Sequence, residues 1–388
     1  MTPAARYAAA IVVLDQIVAG APAERALTTW ARTNLFAGSG DRAAIRDHVY
    51  DVLRARRSLA IAGGGDGGRA LVLGLLRRDG IAPDTVFGAG GHAPPAMTEA
   101  ERRVEGHAAT DAETADLPDW LWPIWQDSLG DGAMPVALVQ QRRAGLHLRV
   151  NLSRISRDAA QAKLLKDGIA TVPHPEVVTG LTVLDQPRKV AGSATLAAGW
   201  VEVQDAASQI ALAQLPLTPG MRVLDYCAGG GGKALGMADR LASRVWAHDV
   251  DPRRMIDIPG RAKRAGVEID AIATAEVGAV PPFDLVLCDA PCSGSGTWRR
   301  TPDAKWQLTA DRLRDLNETQ ASVLARGASL CAKGGAVAYA TCSVLASEND
   351  GIVGAFLSAH PDWTRQQELR LWPTALHDGF YMAVLRRT

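Results

Sequence analysis

Five cysteines occur in the chain, Cys227, Cys288, Cys292, Cys331 and Cys342, and two of them stand in settings suited to chemistry. Cys292 follows Asp289-Ala290-Pro291, and Cys342 follows Tyr339-Ala340-Thr341, shortly before Ser347-Glu348-Asn349. Each comes directly after an apolar, strand-like run, and so at the carboxyl edge where α/β sheets bind ligands. Upstream, Asp225-Tyr226-Cys227-Ala228-Gly229-Gly230-Gly231-Gly232-Lys233 makes a glycine-rich turn from a strand into a helix. Such a turn lets backbone approach a ligand and aims N–H groups at it, although four glycines alone also suit a plain loop. Asp249, about 20 residues on and closing the next apolar run, is placed to take both hydroxyls of a ribose. The GxGxxG spacing is lacking, and Ala234 after Lys233 rules out a Walker GK[ST]. The set favours an adenosine ligand without a pyrophosphate, such as S-adenosylmethionine, over NAD or ATP. Two thiols and an acid beside a methyl donor suggest covalent activation of a pyrimidine. A thiolate adds to C6 and makes an enamine; C5 then takes the methyl, loses its proton, and the thiol is eliminated.

These residues need a sheet to hold them. After Pro219-Gly220 the apolar runs 222–226, 244–249, 284–289 and 336–341 alternate with helical stretches. That pattern predicts a parallel sheet covered on both faces. Earlier, Leu146, Leu148 and Val150 alternate with His147, Arg149 and Asn151, a half-buried strand, followed by a helix over 156–168 and short strands over 170–203. The first 90 or so residues read as helical. Tyr7, Ile11, Leu14 and Val18 share one face, and Ile45, Val49, Val52 and Leu53 share another after the start signal Ser39-Gly40-Asp41. Residues 81–116 are rich in Gly, Ala and Pro and read as loop; a tryptophan-rich segment with Trp120, Trp122 and Trp125 opens near Leu117. The expected architecture is α/β: a Rossmann-like methyltransferase domain over 201–388, preceded by an all-α domain over 1–116 and a small α/β subdomain over 117–200.

Composition narrows the classes. The 388 residues are 47% apolar and 22% charged, the balance of an ordinary globular chain. Lys+Arg and Asp+Glu are equal at 42 each, so any nucleic-acid contact relies on local clusters rather than on a strongly basic domain. One such cluster follows Cys292: Trp298 and Trp306 flank Arg299, Arg300 and Lys305. This mixture can stack bases and neutralise phosphate; the other reading is core tryptophans under a solvated basic face. An odd number of cysteines with no CxxC pair argues for free thiols in a reducing cytoplasm. The apolar runs are too short for a transmembrane helix, and the eight histidines lack metal spacing. Neither a membrane nor a metal is expected, and the chain is expected to be a monomer.

Taken together, the motifs resemble the RNA 5-methylcytosine methyltransferases of the RsmB and NOL1/NOP2/Sun type. The resemblance rests on Val203-Gln204-Asp205, the 225–233 loop, Asp289-Ala290-Pro291-Cys292-Ser293, Arg299–Trp306, Ala340-Thr341-Cys342-Ser343 and Asp378-Gly379-Phe380-Tyr381. Residues 1–60 are similar to a NusB-like helical domain, notably at Asp41-Arg42 and Val52-Leu53-Arg54. The resemblance implies S-adenosylmethionine as cofactor, Cys342 as nucleophile on C6, and Cys292 as the thiol that assists product release. It implies that Asp289 binds the cytosine amidine edge near the methionine end of the cofactor, with Lys233 at the same junction. Cys227, Ala228, Gly229, Gly230, Gly231, Gly232 and Lys233 would cradle the cofactor, with Asp249 on its ribose and Asp289 beside it. Trp298, Arg299, Arg300 and Lys305 would contact RNA. The family loop reads Cys-Ala-Ala-Pro-Gly-Gly-Lys; here Gly229 and Gly230 stand in place of Ala and Pro, which raises the entropy of the free loop. The third acid expected to contact the cofactor falls at Ala275, with Glu276 adjacent. The implied substrate is 16S ribosomal RNA, the alternatives being tRNA or a non-catalytic RNA-binding assembly factor. Cys292, Cys342, Asp289 and Lys233 together argue against the last.

Overall fold

The computed structural model describes residues 1–104, 106–241 and 244–388, which divide into two compact units. The first comprises Met1–Arg143 together with Trp298–Leu308. It is helical, with Pro3–Val18, Ala23–Thr33, Ser39–Arg54, Arg56–Gly63 and Gly68–Arg78 as its main elements. Of the two helical stripes expected, Ile45, Val49, Val52 and Leu53 are all buried as read. The face of the first helix lies a residue away: Ala10, Val13, Leu14 and Ile17 are buried, whereas Tyr7, Ile11 and Val18 are only partly so. The small Ala10 lets neighbouring helices approach, a signal that a search for large apolar residues passes over. Helices Arg56–Gly63 and Gly68–Arg78 cross on glycines: a Cβ at Gly74 would meet the Leu59 carbonyl oxygen at 2.1 Å.

By contacts, helices Trp122–Leu129 and Ala133–Gln140 pack with the helical unit. Trp125 explains why: it is fully buried, donates to the Ala133 carbonyl at 2.8 Å, and stacks on Trp298 with centroids 5.8 Å apart.

The second unit, Ala144–Thr297 with Thr309–Thr388, contains two sheets. In the smaller, β1 (Leu146–Val150), β2 (Thr171–Pro173), β3 (Gly180–Val183) and β4 (Val201–Val203) form an antiparallel sheet in the order β2-β3-β1-β4. The larger has seven strands: β5 (Val223–Asp225), β6 (Val245–Ala247), β7 (Ile269–Ala271), β8 (Phe283–Asp289), β9 (Cys331–Thr341), β10 (Trp363–Leu371) and β11 (Phe380–Arg387). Their order is β10-β11-β9-β8-β5-β6-β7. Strands β5 to β9 are parallel, and β11 inserts antiparallel between β9 and β10. The expected parallel strands are present, and the order reverses at β5. From there the chain steps outward to β6 and β7, then returns to the other side as β8 and β9. Ligands of such sheets bind at that switch point, beyond the carboxyl ends of the strands.

Candidate active site

Each element of the larger sheet delivers one component to that edge. Strand β5 ends in Asp225 and β8 in Asp289; β9 ends in Thr341, one residue before Cys342. The helix Gly232–Leu241 brings Lys233 in its first turn, and Lys233 Nζ donates to Asp289 Oδ2 at 2.6 Å. Cys292 Sγ lies 3.4 Å from Cys342 Sγ. The structure therefore assembles four of the residues singled out from sequence, Lys233, Asp289, Cys292 and Cys342, within one unit.

The two thiols are not equivalent. Cys342 is held below the ordinary thiol range, chiefly because Cys292 donates a hydrogen bond to it, with Lys233 and Thr297 adding to the effect against burial and the negative charge of Asp289. Cys292 is pushed well above that range by the same hydrogen bond, by burial, and by the negative charges of Cys342 and Glu348. A thiolate paired with a thiol is the arrangement that attack by Cys342 requires. Burial opposes the charge of Lys233, but the Asp289 carboxylate more than offsets it and raises the ammonium above its usual range. Of the remaining cysteines, Cys288 and Cys331 are buried and Cys227 is partly exposed at the start of the glycine loop. Burial raises the Cys227 thiol, raises Cys288 well above its usual value, and pushes Cys331 up to about 12. Cys331 begins β9, rather than ending a helix as its surroundings in sequence suggested.

The glycine loop is braced from three sides. Gly229 and Gly231 have φ of +51° and +80°, a left-handed region that side chains avoid. The Gly229 amide donates to Asp249 Oδ2 at 2.9 Å, and the Asp249 carboxylate also accepts from the Asp251 amide (3.0 Å) and Arg254 Nη1 (3.0 Å). Gln204, for which sequence reasoning found no chemical role, holds the loop from below: its Nε2 donates to the Gly232 carbonyl at 3.2 Å and its Oε1 accepts from the buried Arg149 at 2.8 Å. Its neighbour Asp205 accepts from His147 (3.0 Å) and from the Asp378 amide (3.2 Å). The third side is His248, whose ring bonds the Tyr226 carbonyl at 2.7 Å and the Thr274 hydroxyl at 2.9 Å.

One residue that sequence reasoning passed over is Asp225. It is buried, its carboxylate meets only a loose approach from the Ala234 amide, and burial together with Asp289 raises its carboxyl to about 7. An unsatisfied acid under a left-handed glycine cradle fits a cationic or hydroxyl-bearing ligand above it. Glu276 is exposed and accepts from the Ala273 amide at 2.8 Å; Ala275 beside it is also exposed. Among the described residues no group of three or more His, Cys, Asp or Glu side chains could hold a metal ion.

The basic–aromatic cluster is placed otherwise than expected. Trp298, Arg299 and Lys305 are 2%, 3% and 4% exposed, and Arg300 is only partly exposed. The first three are parts of the helical unit's interior. Arg54 Nε donates to the Arg299 carbonyl at 2.6 Å, Lys305 Nζ to the Arg54 carbonyl at 3.2 Å, and Trp306 Nε1 to the Leu53 carbonyl at 2.7 Å. Burial lowers the Lys305 ammonium to about 8. Neither a stacking surface nor a solvated basic face describes Trp298, Arg299 and Lys305: Lys305 and Trp306 satisfy carbonyls at the end of helix Ser39–Arg54, the Arg299 carbonyl accepts from Arg54, and Trp298 stacks on Trp125.

A model of the 16S rRNA methyltransferase RsmB/F family matches residues 212–386, and a model of the ferredoxin-like domain of RsmF/B-like methyltransferases matches residues 117–191. The ribosomal RNA small subunit methyltransferase B of Vibrio cholerae is 35% identical over 292 residues, which is 71% of this chain and 67% of that protein. The chain belongs to the RsmB/F family. The protein of the same name from Sodalis glossinidius is 35% identical over 270 residues, 66% of this chain and 61% of its own length. The chain thus matches about two thirds of the length of these RsmB relatives. In fold it is similar to the crystal structure of PH0851, with a TM-score of 0.76 at 21% identity over 100% of this chain and 99% of that one. NSun6 from Pyrococcus horikoshii, solved with SFG, aligns over 70% of this chain and 98% of its own with a TM-score of 0.63 at 17% identity. Both are likenesses of fold; the match to the RsmB/F methyltransferase family carries the fold class and the S-adenosylmethionine cofactor expected from the sequence.

Proposed function

We propose that the chain is a cytoplasmic RNA (cytosine-C5) methyltransferase that acts on 16S ribosomal RNA through a covalent bond from Cys342 to C6 of the base. The observation that carries this reading is the pair of thiols 3.4 Å apart, one favoured as thiolate and the other as thiol, beside the Lys233–Asp289 ion pair.

C5 of cytosine is a poor nucleophile until charge is pushed onto it from C6. The Cys342 thiolate forms the C6–S bond, and the displaced ring electrons make an enamine. Asp289, bonded to the amidine edge, keeps the ring polarised for that step. Residues 227–233 and Asp249 would hold S-adenosylmethionine, which supplies an electrophilic methyl group on sulfonium. Lys233 fixes Asp289 and leaves a positive charge close to the attacking sulfur. Once Cys342 is a thioether it no longer carries the charge that retains the Cys292 proton, so that proton passes to solvent. Once C5 carries the transferred methyl group, Cys292 takes the proton from C5, the C6–S bond breaks, and its electrons restore the Cys342 thiolate.

The two thiols should therefore fail in opposite ways. Incubated with cofactor and ribosomal RNA from cells lacking the gene, Cys292→Ala is expected to accumulate a protein–RNA adduct that survives denaturing electrophoresis, because loss of a positioned base slows the proton step by about 10²–10⁴-fold. Cys342→Ala is expected to form no adduct and no 5-methylcytosine, read by bisulfite sequencing. An adduct with Cys342→Ala but not with Cys292→Ala would reverse the roles.

A further inference from the structure

The same dipeptide occurs at both thiols, Cys292-Ser293 and Cys342-Ser343, and both serines are buried against a single carboxylate. Glu348 is 0% exposed. Its Oε1 accepts from the Ser293 amide at 2.7 Å and from Gln320 Nε2 at 2.9 Å. Its Oε2 accepts from the hydroxyls of Ser293 and Ser343, each at 2.5 Å. The surroundings fix Glu348 in turn. Its carbonyl accepts from the Tyr339 hydroxyl at 2.6 Å, while Asn349 donates to the Ser343 carbonyl at 3.0 Å and accepts from the Thr341 hydroxyl at 2.6 Å. Ser295 closes the ring, meeting the Ser343 hydroxyl at 2.8 Å and accepting from the Val344 amide at 2.9 Å.

A carboxylate taken out of water is costly unless its oxygens are fully bonded, and an apolar side chain would fill the same space at less cost. Here all four donors come from the shell around the thiols. We propose that Glu348 is a positioning residue for the reaction: through Ser293 and Ser343 it holds the two cysteine loops at working distance, and its charge directs attack to Cys342 rather than Cys292. This rests on Cys342 being the nucleophile. The asymmetry comes from placement. The charged or titratable groups acting on the pair are Lys233 on helix Gly232–Leu241, Asp289 at the end of β8, Tyr339 on β9, and Glu348 just before helix Asp350–Ala359. The negative charge of Glu348 acts on Cys292 with no cation against it, whereas at Cys342 the charge of Asp289 is opposed by Lys233.

The test is alkylation of the full chain by iodoacetamide without RNA, resolved by peptide mass spectrometry over roughly pH 6–10. Wild type is expected to alkylate at Cys342 at lower pH than at Cys292. Glu348→Gln removes the charge but keeps the shape, because the two serine hydroxyls can rotate to accept from the new amide. It is expected to shift the Cys292 profile toward lower pH by about one unit, a tenfold change in its alkylation rate at a given pH. Its kcat is expected to fall about 10–100-fold with KM for RNA and cofactor affinity nearly unchanged. Ser343→Ala, which cuts one tether and keeps the charge, is expected to lower kcat while leaving the Cys292 profile in place. Unshifted profiles with wild-type kcat in Glu348→Gln would overturn the proposal, as would lost cofactor affinity and a collapsed melting curve, which would mark a purely structural carboxylate. A Cys292→Ala protein that never forms an RNA adduct would sink the nucleophile assignment instead, and the alkylation profiles would separate that failure from this one.

Discussion

Asp225 is the residue at which the site works against the fold. A buried acid with its carboxyl near 7, against about 4 in an unfolded chain, is still protonated when the unfolded chain has ionised. Stability is therefore unaffected by this group below about pH 4 and declines as pH rises from 4 to 7, where the unfolded state gains by releasing a proton. Above 7 both states are ionised and the loss is constant. Asp225→Asn removes the titration with little change of shape. It is expected to raise the melting temperature at pH 8, on the order of 2–4 kcal/mol of stability, and to change it little at pH 4.5. If the unsatisfied carboxyl serves the cofactor, the same substitution weakens S-adenosylmethionine binding in calorimetry while the protein becomes more stable. Stability and affinity moving in the same direction would refute that account. None of this was legible in the sequence, where Asp225 is one acid among 42 and its burial does not show.

At the scale of elements, the parallel strands were legible because a strand buried on both faces is written as an unbroken apolar run, and Val223–Asp225, Val245–Ala247 and Phe283–Asp289 are such runs. Strands β7, β10 and β11 were not. β7 has three residues, and β10 reads Trp-Thr-Arg-Gln-Gln-Glu-Leu-Arg-Leu, an exposed edge with no apolar run to mark it. The glycine loop was found by composition, but its four glycines differ in what they do. Gly231 needs φ of +80°, and a Cβ there would meet Ile258 Cγ1 at 2.8 Å, whereas Gly230 has an ordinary backbone and meets only the end of Arg261 at 3.2 Å. Gly231→Ala is expected to lower stability by about 1–2 kcal/mol and to weaken cofactor binding. Gly230→Ala should leave stability unchanged or raise it by up to about 1 kcal/mol, by removing freedom from the open loop. Thermal melts of the two variants side by side, with and without cofactor, check the contrast; equal losses would mean that loop conformation is not set by these dihedrals.

On the scale of the whole molecule, the segment Trp298–Leu308 is where sequence and structure part furthest. Arginine, lysine and tryptophan beside a candidate catalytic cysteine look like a nucleic-acid contact by type. Type does not reveal that Leu53, Arg54 and Trp125 await those side chains from far away in the chain. Trp298→Ala is expected to cost about 3–5 kcal/mol and to appear as early melting of the helical unit. A chain truncated to begin at Ala144 should expose Trp298, Arg299 and Lys305 and aggregate, although it keeps every residue of the thiol site. A well-behaved, monomeric truncation would refute the assignment of this segment to the helical unit. The arrangement also imposes an order in time. Ribosomes add roughly 5–20 residues per second, so after Arg143 has emerged about 8–30 s pass while Ala144–Thr297 is made. For that interval the helical unit waits with its tryptophan slot open, a window in which a newborn chain is a natural client for chaperones.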